Sequence, residues 1–322
     1  MAVLIAPAPL VVPVGGRPSI ELASIFDFEF VDGALEYFAT GDDATLQSMA
    51  STDAARHLAA HASRVSLAEK EQSPREITEG LMRPRREKAE DAQAVRQVLS
   101  VVRHDTLRQT VCLSEVLAHL PEGGLAGGRL YFTYGYDIGV AVSGNASLNL
   151  AHEHFLQDPG EIWFYCVHEL HHAGFQAFHD LPKLAELDTT RDLLGLVEYA
   201  TQLEGTAVYA AWDWRQRAGA LSGDEDYRAL LDDDLMARLQ QEYFEIYDRL
   251  RSEPVRPLAD SDWAILDRMS GGDRLWYRVG AQMAAAIDAA RGRGELCRLV
   301  EAGPRAFIDA YRAGCVKGAP PN

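Results

Sequence analysis

The 322-residue sequence predicts an α+β protein that is predominantly helical with a small antiparallel sheet. Three observations carry this. Apolar residues recur at three- and four-residue steps over most of the chain, which is the pattern of amphipathic helices. One region alone, between Arg129 and Leu150, reads as short strands punctuated by Gly, Asp and Asn. Apolar residues form 47% and charged residues 25% of the chain, a balance that supports a substantial core and excludes a disordered chain, a collagen-like repeat or a small disulfide scaffold.

Residues 1–18 read as an extended, Pro-rich lead-in. Pro7, Pro9 and Pro13 interrupt the apolar stretch where a signal helix would form, and no positive n-region precedes it. No apolar run approaches the roughly 18 residues needed to span a bilayer, so the expected location is cytoplasmic. Residues 19–120 form a mainly helical region, with helices over Val31 to Phe38, Leu46 to His61 and Ile77 to Val102. Four glycines between Pro121 and Gly128 mark a loop. Strands follow at Arg129 to Tyr134, Ile138 to Ser143 and Ala146 to Leu150, separated as in hairpins. Asp158 is placed to cap a helix and Pro159 suits its first turn, with the helix running to about Phe178. Further helices are expected over Thr190 to Ala218, Leu235 to Arg251, Asp260 to Met269, Leu275 to Ala290 and Gly294 to Tyr311. Residues 121–316 thus form the region that carries chemistry, read as one compact unit with the helices before it.

The net charge of −17 disfavours nucleic-acid phosphates and anionic membrane surfaces as partners. The basic run from Arg83 to Lys88 is short, broken by Glu87, and reads as a solvated face. Cys112, Cys166, Cys297 and Cys315 form no CxxC pair, which suits a reducing compartment or buried thiols, although an even count permits two disulfides. No dinucleotide fingerprint, phosphate loop or GxSxG elbow is present.

The sharpest signal is His168-Glu169-Leu170-His171-His172, an HExxH motif. Residues i and i+4 of a helix share a face, so His168 and His172 can aim two imidazoles at one Zn²⁺. Glu169 projects beside the ion and can take a proton from a water bound there. A catalytic zinc takes a third protein ligand. An HExxHxxGxxH completion would need a glycine and a histidine where Gly174 and His179 are each displaced by one position. The other completion is a glutamate on the next helix, Glu198 or Glu204. These lie about 240° apart around a helix and cannot both face the ion. Gly205, Ala207, Ala210 and Ala211 are small enough to bring that helix close to the HExxH helix, which favours Glu204.

HELHH followed after a helical interval by Leu203-Glu204-Gly205-Thr206-Ala207 resembles the gluzincin branch of zinc metallopeptidases. It is more closely similar to the domain-of-unknown-function families of predicted zinc-dependent proteases with HExxH followed by EGxA. The interval from His172 to Glu204 is longer than in thermolysin-like members. The likeness runs from about Tyr131 to Glu204, and more weakly through Trp276 to Gly280 and Phe307 to Tyr311. It implies a zincin-like fold, one Zn²⁺ on His168, His172 and Glu204, Glu169 as general base, and a peptide or protein substrate.

Tyr277, on a later helix, is positioned to supply a hydrogen-bond donor for a developing oxyanion, and Gly280 one turn on would let that helix pack closely. Its alternative is a core tyrosine. The strand Ile138 to Ser143, or its neighbour, is a candidate edge for pairing with extended substrate, or else an internal strand. His152 and His154 read as a polar loop or a second site. His171 reads as a solvent-facing or supporting residue, and His57, His61, His104 and His119 as structural. The function expected is zinc-dependent hydrolysis of amide bonds. A metal hydrolase of other substrates and a catalytically silent scaffold are the alternatives.

Overall fold

The computed structural model describes residues 11–12, 20–21, 25–66, 71–86 and 91–314. The rest of the expected lead-in lies outside the described residues. Within them, strand β1 (Val11–Val12) pairs antiparallel with β2 (Ile20–Glu21). Then follow strand β3 (Phe26–Asp27) and six helices, α1 (Glu29–Thr40), α2 (Asp43–Ala50), α3 (Asp53–Val65), α4 (Pro74–Arg86), α5 (Ala92–His104) and α6 (Thr106–Ala118).

The single helix expected over Leu46 to His61 is two helices. Thr52 breaks it, because its extended backbone lets the hydroxyl accept from the Ala55 amide at 3.1 Å and cap α3. The helix expected over Ile77 to Val102 is likewise two, α4 and α5, with residues 87–90 between them outside the described set.

Strands β4 (Leu130–Thr133), β5 (Gly139–Val142) and β6 (Asn145–Asn149) complete a four-stranded sheet of order β3-β4-β6-β5. The sheet is mixed, which corrects the antiparallel expectation. Within this sheet only β5 and β6 form a hairpin, turned at Ser143 and Gly144, both with positive φ. β6 inserts beside β4 in the same direction, and β3 is also parallel to β4. The hairpin punctuation is local, whereas the order of strands is set by burial. β4 is buried along its whole length and β6 along nearly all of it, as central parallel strands are, and β5 is left at the edge.

After α7 (Glu153–Gln157) the chain makes a turn and enters α8 (Ile162–Gln176). Asp158 holds the turn by accepting from the Gly160 amide at 2.9 Å, so it does not cap α8, which begins later than expected. α8 is buried on nearly every side and packs against β5 and β6. α9 (Thr190–Ala218) is the longest helix. It opens with a reciprocal capping box of Thr189 and Asp192 and closes at Gly219 in the left-handed conformation. The remaining helices are α10 (Glu225–Leu230), α11 (Asp233–Ser252), α12 (Asp260–Ser270), α13 (Leu275–Arg291), α14 (Arg293–Ala302) and α15 (Pro304–Gly314). The last two divide the helix expected over Gly294 to Tyr311, because Gly303 takes φ +95° and Pro304 starts a new first turn.

α9 serves two apolar cores. Tyr199, Leu203, Val208 and Ala211 join the core of the N-terminal helices, the sheet and α8. Leu193, Val197 and Ala200 join the core of α11 to α15.

Candidate metal centre and cleft

α8 and α9 bring three side chains together. Glu204 Oε2 lies 3.2 Å from His168 Nε2 and 3.0 Å from His172 Nε2. The ligating atoms of the three residues all lie within 4.8 Å of one another, and no other group of this kind occurs among the described residues. Two imidazoles and one carboxylate are a donor set suited to zinc. One carboxylate oxygen shared between two ring nitrogens also leaves those nitrogens convergent on a single point. The residues therefore fit a metal ion.

The electrostatics agree with a site that holds opposite charges close together. Burial alone would raise the Glu204 carboxyl, but His172 and His168 outweigh it and hold Glu204 well below the usual carboxylate range. Burial and the charge of His172 lower His168. Burial would lower His172 as well, yet Glu204 and Glu169 together raise it.

Glu169 sits beside the triad, 5% exposed, with Oε2 lacking a hydrogen-bond partner. Burial pushes its carboxyl up to about 8, against the pull of His172 and helped by Glu204 and Asp137. The carboxylate fits beneath the edge strand because residue 139 is glycine. A Cβ on Gly139 would lie 2.5 Å from Glu169 Oε1. Sequence reasoning missed this role of Gly139, although a glycine opening a strand is a signal of close backbone approach.

The edge strand is also tied to α8, since Gln176 Nε2 donates to the Ala141 carbonyl at 3.0 Å. The Asn149 amide donates to Ile138 O, so by antiparallel alternation the amide and carbonyl of Gly139 point away from β6 toward the open edge.

These groups line a cleft of about 560 Å³. Tyr277 lines it too, and its ring lies under the guanidinium of Arg274 at 3.6 Å. Burial and the charge of Glu204 push the Tyr277 hydroxyl up, so it remains protonated. His61, read from sequence as structural, also faces the cleft, with Nδ1 3.1 Å from the Tyr136 hydroxyl. The far wall rests on Arg215, which is buried between the rings of Phe164 and Tyr227 and paired with Glu161 at 2.7 Å.

The other candidates lie elsewhere. Glu198 is buried on another face of α9, where the Tyr247 hydroxyl and Arg305 Nη1 each approach Oε1 at 2.9 Å. His179 Nε2 lies 2.6 Å from the Val300 carbonyl, outside the cleft. His171 is fully buried, where solvent exposure was one reading, and burial with the nearby charge of His119 keeps it neutral. His152 accepts from the His154 amide at the start of α7, and His154 Nε2 lies 3.4 Å from Glu161. His57 is buried against Tyr131. Cys112 and Cys166 are buried, and Cys297 Sγ lies 3.5 Å from the Ala118 carbonyl. Gly205 does bring two backbones together, but the partner is Gly280 of α13 and not the HExxH helix. A Cβ on Gly205 would lie 2.2 Å from the Gly280 carbonyl carbon. Gly280 packs closely as expected.

Fold and site together define a predominantly helical protein with a small mixed sheet and a histidine-glutamate triad able to hold a metal ion. The chain belongs to the family described as "Putative zinc dependent peptidase (DUF5700)", whose sequence profile matches residues 46–318. No curated protein and no solved structure matches it significantly. No helix among the described residues is long and apolar enough to cross a membrane.

Proposed function

We propose that the protein is a gluzincin-type metallopeptidase that hydrolyses amide bonds of peptides or proteins. The observation that carries this is the convergence of His168, His172 and Glu204 next to a buried, unpartnered Glu169 at the floor of a cleft. Zinc held by the triad supplies Lewis-acid polarisation of a carbonyl and lowers the pKa of a water toward about 7.

The chain's own residues do the rest. Glu169 accepts the water proton at its carboxylate and returns it to the departing amine nitrogen. Its position under Gly139 keeps that carboxylate from swinging away. The Tyr277 hydroxyl donates a hydrogen bond to the oxygen on which negative charge develops. The outward amide and carbonyl of Gly139 pair with an extended substrate backbone, adding it to the sheet as a further strand.

Glu169→Gln keeps the shape of the side chain and removes the base. The variant should retain zinc by metal analysis while peptide hydrolysis falls by about 10²–10⁴-fold. Loss of zinc, or undiminished turnover, would overturn the role. Tyr277→Phe removes only the hydroxyl and should lower the chemical step by about 10–10³-fold with zinc content and melting temperature unchanged. Activity abolished by a chelator and restored by Zn²⁺ separates an enzyme from a scaffold.

A further inference from the structure

The cleft contains a cation that neither the metal centre nor the proton-transfer chemistry uses. Arg274 stands at the start of α13 with φ +50°, a left-handed backbone that costs an arginine free energy and that persists where surrounding structure enforces it. Two contacts fix its side chain. Nε donates to both oxygens of Asp226, at 3.0 and 2.9 Å, and the guanidinium carbon lies over the Tyr277 ring, 3.6 Å from its centroid. Nη1 and Nη2 have no hydrogen-bond partner among the described residues, although Arg274 lines the cleft. Asp226 is shared with Arg278, whose Nε approaches Oδ1 at 2.8 Å and whose Nη2 lies 3.5 Å from Glu225. Arg274 is also near enough to the triad for its charge to act on both His168 and Glu204.

A guanidinium held by Nε and by stacking presents its two terminal nitrogens as a pre-set fork, the shape that a carboxylate accepts with two parallel hydrogen bonds. The rest of the cleft repels such a group. Asp137, Asp224 and Glu225 line it, and Arg215, the other arginine there, is paired with Glu161. Of the two arginines that line the cleft, Arg274 is thus the one whose terminal N–H groups are left to receive a free carboxylate.

We infer that Arg274 binds the C-terminal carboxylate of the substrate, so that the enzyme acts on peptides near their free C-terminal end. This rests on the peptidase reading above and deepens it to exopeptidase specificity. Asp226 is the positioning residue that aims the fork, and Tyr277 is its platform.

The test compares peptide pairs that differ only in a C-terminal acid or amide, with the zinc-loaded full chain. Wild type should favour the acid by about 10²-fold in kcat/KM, because the amide forfeits a charge-assisted bidentate contact. Arg274→Gly suits the left-handed backbone and removes the fork. Arg274→Lys keeps the charge and removes the planar geometry. In both, the acid-to-amide ratio should collapse toward one while zinc content is retained. Equal treatment of acid and amide by wild type, or a ratio that survives in Arg274→Gly, overturns the assignment. If wild type cleaves no peptide, the peptidase reading fails, and calorimetric binding of the same two peptides decides the fork. Acid preference that is lost in Arg274→Gly upholds the carboxylate site, and acid preference that is absent or unchanged overturns it.

Discussion

α9 carries two largely buried glutamates that read almost alike in sequence and face different surroundings. The side chains of Glu204 and Glu198 are 16% and 11% exposed, so burial does not distinguish them. Glu204 meets two imidazoles, which overcome the cost of burial and keep it ionised. Glu198 meets Arg305 and the Tyr247 hydroxyl, yet burial wins and its carboxyl is raised. A metal ion can replace a proton between Glu204 and its histidines, because imidazole nitrogens are ligands in their own right. It has no such place beside Glu198, where the partner is a guanidinium, already charged and never a ligand. Neighbours assign the chemistry, and helical rotation assigns the neighbours.

The largest effect that sharpens this contrast is on metal binding. Glu204→Ala should weaken zinc affinity by more than about 10²-fold, since it removes a direct ligand. Glu198→Ala and His179→Ala should leave it nearly intact. Glu198→Ala should instead destabilise the fold by about 1–3 kcal/mol through the loss of a charged hydrogen-bond acceptor. A metal titration alongside urea unfolding separates the two outcomes. Zinc loss confined to His179→Ala would sink the assignment of the third ligand.

A second break falls one residue after Glu204. Gly205→Ala would drive a methyl into the Gly280 backbone, which cannot rotate aside as a side chain can. α9 and α13 would have to separate, at a cost of about 3 kcal/mol. A variant as stable as wild type would show that the two helices do not cross there.

The triad was legible because its logic is local. Four residues on one helix fix His168 and His172, and rotation around the next helix separates Glu204 from Glu198. Most helices were legible from periodicity, save where a single residue breaks one, as Thr52 and Gly303 do, and where a helix is too short to show a period, as α7 and α10 are. What escaped is non-local. The strand order depends on which strands are covered on both faces. Gly205 announced a close approach without naming its partner. His61 reaches the cleft only through the packing of α3 on β5. The left-handed backbone of Arg274 has no sequence signal, since nothing in Asp-Arg-Leu requires it.

Environment also divides the histidines. The two at the metal centre exchange charge with Glu204, whereas His57 on α3 has no carboxylate beside it. Burial, with the charge of His61, lowers His57 to about 3. A folded pKa below the unfolded value of about 6.5 means that the unfolded chain binds the proton first. Stability is therefore complete above about pH 6.5 and is lost as pH falls below it. The loss from His57 is about 1.4 kcal/mol per pH unit, or about 2 kcal/mol at pH 5. Urea midpoints of metal-free wild type and His57→Gln between pH 7 and 5 should converge as pH falls. Parallel curves would mean that His57 is not held neutral.

The smallest effect has the opposite sign and tests whether α9 tolerates change away from its contacts. Gly195 lies on the same helix, exposed, and a Cβ there meets nothing within 4 Å. Its φ is not in the left-handed range, so alanine fits the existing backbone. Gly195→Ala should stabilise the protein by about 0.5–1 kcal/mol, because a mid-helix glycine leaves the unfolded chain more freedom to lose. Gly205→Ala makes the identical chemical change ten residues later and should cost several times as much. A thermal melt of both variants reads the difference directly. If Gly195→Ala also destabilises, α9 is constrained along its exposed face as well as where it meets α13, and a surface contact there must be sought.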